Sequence, residues 1–435
     1  MRLLLPALLA AWLPNAATAQ TSARPLAKGN YTLTVFLDQG WVQPAEEQLA
    51  KQFQQQTGIT VKYDPIPDST YQTLLTTKLN SGQMPGDIYM GQPTQAGLQL
   101  TYEVEQHAVD LSNQPWVSRE DALIRAQSSI GGKLYGQTIW DTVGGDWVMD
   151  YNKNDFATAG ITGVPTTYAE LVADCAKLKA AGINPIYEPL SDGWHQTLWF
   201  FEAGPQMQKL DPGLAQRLNR NQQDFAGTPV ALGAMTQIEE LYKDGYFGPT
   251  PETDTVANAP AALASGKYAM FVWSVAYPSV INAAYPKVPV SQFGFFPMPI
   301  LDNQLIPANP QAPTKFVYKG GPHVAGAEEY LDFLAETQNL NYMIKHTSTF
   351  LSLDFTGVKS NFSPAQAAFF KQYKLSSIAT YQVSVNYTNP QWGNVATDIT
   401  AMFTGQETPL QVLQNIDMRR AQEAQEVHDP YWPSS

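Results

Sequence analysis

The sequence predicts an α/β protein of two lobes, each built on a mainly parallel sheet flanked by helices. Three observations carry that prediction. Residues 31–90 alternate strand, helix, strand, helix, strand, and a second strand–helix region opens near Asp146. The chain's 435 residues are too many for one small core and suit two bodies of ordinary domain size. Strand–helix–strand order with short connections favours parallel neighbours, because the helix carries the chain back to the end of the sheet from which it started.

Each element has its own signal. Apolar alternation puts Tyr31, Leu33, Val35 and Leu37 on one side of a strand over 31–38. Ala45, Leu49 and Phe53 recur at helical spacing, and Gly58 stops that helix. A second strand covers 59–63, a second helix follows on Tyr71, Leu74, Leu75 and Leu79 to Gly82, and 87–90 form a third strand. The second region opens with a strand over 147–151. Thr167-x-x-Glu170 is a capping box for a helix running to Ala181, with Gly182 as its stop. That helix carries Leu171, Cys175 and Leu178 on one apolar side, so the only cysteine is a buried, inert thiol. A strand at 184–187 follows. Thr228-Pro229 opens a further helix ending at Gly245. Asn258 and Pro260 begin a short helix ending at Gly266, ahead of a strand over 268–273. The Pro-rich stretch 297–313 is a connector to a strand over 315–318 and to a helix with the stripe Ala327, Tyr330, Leu331 and Leu334. From Arg419 the tail is polar, the composition of an exposed or frayed helix.

The first residues mark the chain for export. Arg2 supplies a positive charge, Leu3 to Leu13 is an apolar run too short to span a bilayer, and Ala17-Thr18-Ala19 is a small-x-small cleavage site. Cleavage after Ala19 leaves Gln20 as the mature start, and no Cys follows the run to take a lipid anchor. A net charge of −13 and a pI near 4.8 argue against nucleic acid and anionic membranes as partners.

Catalytic patterns are missing from the sequence. There is no GxxxxGK[ST] or GxGxxG phosphate loop, no GxSxG elbow, and no HExxH or HxxxH among the five histidines. No metal or cofactor is therefore expected. One alternative stays open: Asp141 and Asp192 as the carboxylate pair of a secreted carbohydrate-active enzyme.

Ordered segments then carry a family likeness. TLTVF is followed by EEQLAKQFQQQTGITVKY, LNSGQMPGDIYM, GGKLYGQTIW, VMDYNKNDFATAGI, VPTTYAELVADCAKLKAAGINPI, AALASGKYAMFVW and AEEYLDFLAE. In this order the chain resembles the extracellular solute-binding proteins of carbohydrate ABC importers, the maltose-binding-protein-like group. The resemblance implies a type II periplasmic-binding-protein fold with the ligand cleft between its lobes, a monomer in the periplasm, a carbohydrate ligand, permease subunits in the membrane as partners, and no catalysis. It places lobe I at 30–142 plus 299–337 and lobe II at 146–297 plus 342–435, with crossings near 141–146, 295–299 and 337–342. A same-fold binder of a polyamine or a phosphorylated polyol is the other reading.

Sugar rings present an apolar C–H face that packs on aromatic rings, and hydroxyls that need planar polar partners. By resemblance, Trp273 stacks on the ligand at the end of its strand, Trp392 ahead of a helix beginning near Val395, and Trp194 in a loop with Asp192 and His195. Asp38 and Trp41 follow the first strand, and Gln92 follows the third. Trp140 and Asp141 sit where the chain first leaves lobe I, either touching ligand or packing the hinge. Asn309 precedes the strand over 315–318. Tyr89, Phe271 and Phe295 are expected to fill the core.

Overall fold

The computed structural model describes residues 28–433 apart from 143–146, 310, 348 and 374. The leader and its cleavage site, and most of the first expected crossing, lie outside the described residues.

In the first sheet, β1 (Thr32–Asp38) is central. β2 (Thr60–Ile66) and β3 (Ile88–Gly91) both run parallel to it, joined through α1 (Pro44–Thr57) and α2 (Asp68–Ser81). Gly58 and Gly82 close the two helices at φ of 82° and 66°, a left-handed conformation that costs glycine nothing. Much later, β10 (Thr314–Val317) inserts between β3 and β4 (Gly136–Gln137), antiparallel to both, giving the order β2-β1-β3-β10-β4.

The second sheet has the order β8 (Phe293–Phe296), β5 (Trp147–Asn152), β7 (Tyr268–Ser274), β6 (Asn184–Tyr187). Only β6–β7 is parallel; β5 is antiparallel to both neighbours. The sheets are thus mixed rather than mainly parallel. Strand–helix alternation gives the parallel pairs, but it says nothing of strands that arrive after the chain has visited the other sheet.

Each sheet has a core on both faces. Leu33, Val35, Leu49, Phe53 and Leu331 pack on one side of the first sheet, and Phe36, Tyr71, Leu75, Tyr89 and Phe316 on the other. Full burial of such side chains contributes about 1.5–3 kcal/mol each. Around the second sheet lie α3 (Tyr168–Ala180), α4 (Pro229–Lys243) and α5 (Ala259–Ala264), with Leu171, Cys175, Leu178, Met235 and Ile238 fully buried. Thr167 caps α3 by accepting from Glu170 N–H (3.2 Å), but the Glu170 carboxylate reaches one residue further back, to Thr166 N–H (2.7 Å).

Three stretches pack differently from expectation. Ile300 is buried in the second core, and Leu301 is held there by Gln237 and Gln206 (both 2.8 Å), so the connector stays with the second sheet past 295–299. α6 (Val324–Leu334) and α7 (Thr337–His346) both belong to the first core, which also takes Phe350, Leu353 and Phe355, past the crossing expected at 337–342. β9 (Ile306–Ala308) within the connector pairs parallel with β11 (Leu375–Ala379), binding the two later crossings side by side.

The tail is not frayed. After α8 (Trp392–Phe403), α9 (Pro409–Glu426) packs on the second core through Val412, Leu413 and Ile416. Arg420 is fully buried, donating to the carbonyls of Asn386 (3.0 Å) and Leu218 (2.9 Å) between the rings of Phe225 and Trp432. A polar composition concealed a helix anchored by its one inward-facing guanidinium.

Candidate functional site

A cleft of about 1160 Å³ opens between the two sheets and takes its walls from both. The rim of the first sheet supplies the residues that follow β1 and β3, the carboxyl ends where open α/β sheets bind ligands. Asp38 accepts from Gly40 N–H (2.7 Å) and so caps the single helical turn 39–41 that presents Trp41. The indole of Trp41 meets the ring of Tyr71 edge-on at 5.3 Å. Beyond β3, Gln92 N–H donates to the Tyr102 hydroxyl (3.1 Å), and the Gln311 side chain donates to the Gln92 carbonyl (3.0 Å).

The second sheet supplies an aromatic wall. Trp273 lies near the end of β7, and Trp147 begins β5. The antiparallel register pairs Trp147 with Ser274 and Val148 with Trp273, bringing the start of one strand to the rim where the other ends. The two indoles are perpendicular at 5.2 Å. Trp194, from the loop after β6, lies 6.1 Å from Trp147 and 5.8 Å from Trp273. Tyr277 adds a fourth ring, 5.3 Å from Trp273. Further along, Trp392 stacks on Phe201 at 5.2 Å, beside Gln382 and Asn389, which hydrogen-bond to each other (2.9 Å). At the base, Trp140 meets Phe350 edge-on at 5.1 Å, and Asp141 accepts from the backbone N–H groups of Leu351 (2.5 Å) and Ser352 (3.2 Å).

Eight of the expected residues line the cleft: Trp41, Gln92, Trp140, Asp141, Trp194, Trp273, Asn309 and Trp392. Three do not. Asp38 is turned into its capping bond. Asp192 is exposed and accepts from Val256 N–H (2.5 Å). His195 is fully buried behind Trp273, its ring nitrogens on Glu188 and on the Val272 carbonyl. Trp392 is itself the first residue of α8, three positions earlier than expected. Trp147 and Tyr277 were not anticipated, because a first strand residue reads as core unless the pairing is known to be antiparallel.

The lining is dominated by indoles and neutral polar groups. Six of the ten tryptophans face the cleft, each half-buried, while Trp116, Trp199 and Trp432 are core. Among the described lining residues there is no Lys or Arg. Asp141 is the one carboxylate among the described lining residues, and it accepts from two backbone N–H groups. Apart from the imidazole of His346, the rest of the polar lining is amide and hydroxyl: Gln72, Thr76, Gln92, Asn309, Gln311, Gln382 and Asn389 among them. Such a surface offers ring faces and neutral hydrogen bonds.

A family model described as bacterial extracellular solute-binding protein matches residues 39–340. The chain belongs to this family. It is a family of binding proteins rather than enzymes. A binding protein of Brucella abortus (strain 2308) is 23% identical over 265 residues, a match covering 59% of this chain and 60% of that protein, less than two thirds of its length. Among solved structures, a chitin oligosaccharide binding protein superposes with a TM-score of 0.76 at 18% identity, covering 90% of this solute-binding protein and 98% of that chain. A sugar transporter protein of Bacillus licheniformis, in complex with stachyose, gives 0.73 at 17% identity, covering 90% and 100%. At these identities the likeness establishes the fold: the α/β periplasmic-binding-protein architecture, two sheets with flanking helices.

Proposed function

We propose that this solute-binding protein captures a neutral oligosaccharide between its lobes and delivers it to the membrane permease of an ABC importer. The observation that carries the reading is the cleft lined, among the described residues, by six indoles and by no Lys or Arg. Indole faces pack on the C–H faces of sugar rings, and side-chain amides and hydroxyls pair with ring hydroxyls. A phosphorylated ligand needs cationic partners and a polyamine needs several carboxylates; neither set lines the cleft among the described residues. A glycosidase needs two facing carboxyl groups, and Asp192 lies away from Asp141's cleft. Stachyose in one structural neighbour and chitin oligosaccharide in another agree with this substrate class. A volume above the roughly 300–1,000 Å³ of ordinary small-molecule pockets favours more than one ring.

The moving bodies in this reading are 28–142 with 309–358, and 147–305 with 375–433. They rotate about the paired crossings β9 and β11. Ligand touches both walls only when they close, so binding shifts the population toward the closed form that the permease reads. The chain works as a monomer in the periplasm, after export and cleavage following Ala19. Calorimetric titration of the ligand-stripped protein with stachyose, chitotriose, spermidine and glycerol 3-phosphate tests the proposal. Stoichiometric saccharide binding with no product formed is the expected outcome. Preference for spermidine or the phosphate ester, or hydrolysis of a saccharide, overturns it.

A further inference from the structure

Behind the aromatic wall lies a polar group that never meets the cleft. His195 and Glu188 are both fully buried, a costly placement that calls for complete hydrogen bonding. Their bonds are complete. His195 Nδ1 and Glu188 Oε1 are 2.8 Å apart, and Trp199 Nε1–H donates to the second carboxyl oxygen at 2.7 Å. His195 Nε2 is 2.9 Å from the Val272 carbonyl oxygen. A carbonyl only accepts, so Nε2 carries a proton and donates it.

The location explains why that carbonyl is available. β6 pairs with β7 only as far as Tyr187 and Phe271. Val272 lies one residue beyond, where β7 continues to Trp273 without a neighbouring strand on that side. His195 supplies the donor that β6 no longer provides. Its ring lies parallel to Phe271 (3°, 5.0 Å) and to Trp273 (9°, 6.0 Å), the two side chains that flank Val272 on the strand. The imidazole is therefore fixed at both nitrogens and holds the plane of the indole that faces the cleft.

We propose that His195 and Glu188 are positioning residues for Trp273, setting the orientation of the ring face that the ligand meets. The inference rests on the saccharide reading only for what Trp273 does, and not for how it is held. Substituting Glu188→Gln keeps the network: its amide oxygen accepts from Trp199 and its amide N–H donates to Nδ1 of a neutral imidazole. Glu188→Leu cannot, and His195→Gln loses the parallel ring.

Near-ultraviolet circular dichroism of the ligand-free protein reads the result, with the Trp273 contribution defined as the difference between the unmodified protein and Trp273→Phe. Glu188→Leu and His195→Gln are expected to lose at least half of that contribution, and Glu188→Gln to retain it. A folded His195→Gln that keeps the full signal overturns the proposal, as does a Glu188→Gln that loses as much as Glu188→Leu. If the disruptive variants do not fold, the unmodified protein still decides. Labelled with ¹⁵N-histidine, it should show one slowly exchanging Nε2 proton that vanishes in Glu188→Gln only if the network is broken there; absence of any such proton overturns the assignment. None of these measurements uses a ligand, so their failure is separate from failure of the saccharide reading.

Discussion

The six cleft tryptophans are not equivalent, and truncating them separates binding from stability. Trp41 packs edge-on against Tyr71 and is presented by one short turn. Trp41→Ala is expected to weaken saccharide binding about tenfold, or about 1.4 kcal/mol, with a small change in unfolding free energy. Trp273 contacts Phe271, His195, Trp147 and Tyr277. Trp273→Ala should cost at least as much affinity and also about 2–4 kcal/mol of stability, toward the range for truncating a large aromatic core residue. Titration calorimetry and urea unfolding of the two variants check the contrast; equal stability losses would contradict it. At this scale the sequence was partly legible. Trp41 and Trp194, in loops after strands, do line the cleft, because the ends of strands form the rim. Trp147 was hidden by an antiparallel pairing, and His195 and Asp192 were misplaced because adjacency to Trp194 in the chain does not set which way a turn faces them. Cys175 was legible from its helical neighbours. Burial pushes its thiol up, and it should react with a thiol reagent only when the protein is unfolded, as the absorbance of the released chromophore would record.

Among the elements, helices with a clear apolar stripe and a glycine stop appeared where the sequence put them. The part of α9 after Arg419 did not, because what it turns inward beyond Val412, Leu413 and Ile416 is chiefly one charged residue, Arg420. Arg420→Ala leaves Asp417 without its cation (3.5 Å) and opens the space between Phe225 and Trp432. A loss of about 3–5 kcal/mol is expected in denaturant unfolding. Another element-scale effect lies where the chain leaves the first sheet. Glu120 is buried, accepts from Thr138 N–H (2.9 Å), and pairs across a β-bridge with Phe355. Burial pushes its carboxyl from 4.5 up to about 8, and that of the nearby Asp354 from 3.8 up to about 6. An unfolded chain releases the Glu120 proton near pH 4.5, whereas the folded chain holds it to about pH 8. Between those values the folded state binds more protons, so stability falls as pH rises. Glu120→Gln, which keeps an acceptor for Thr138, should flatten the decline of Tm with pH across that window in scanning calorimetry. An unchanged slope would assign the decline elsewhere.

For the whole molecule, a ligand that bridges both walls must change shape and stability together. Saturating saccharide should lower the radius of gyration in solution scattering and raise Tm. At a hundredfold excess over Kd the gain is about 2.7 kcal/mol. A rise in Tm with no compaction would mean that one wall alone binds. The two-body architecture was legible from two regions of strand–helix alternation, whereas the crossings were not. Where a chain passes between bodies is decided by which core Ile300 or Phe350 fills, and both cores accept the same apolar residues. The insertion of β10 beside β3 has a consequence for how the polypeptide is made. All of the second sheet is translated between those two strands, so the ribosome must deliver most of the chain before the first sheet can be completed. Pairings this distant in sequence form slowly. The second sheet, whose last strand ends at Phe296, can therefore close before the first, although the first sheet's strands emerge earliest.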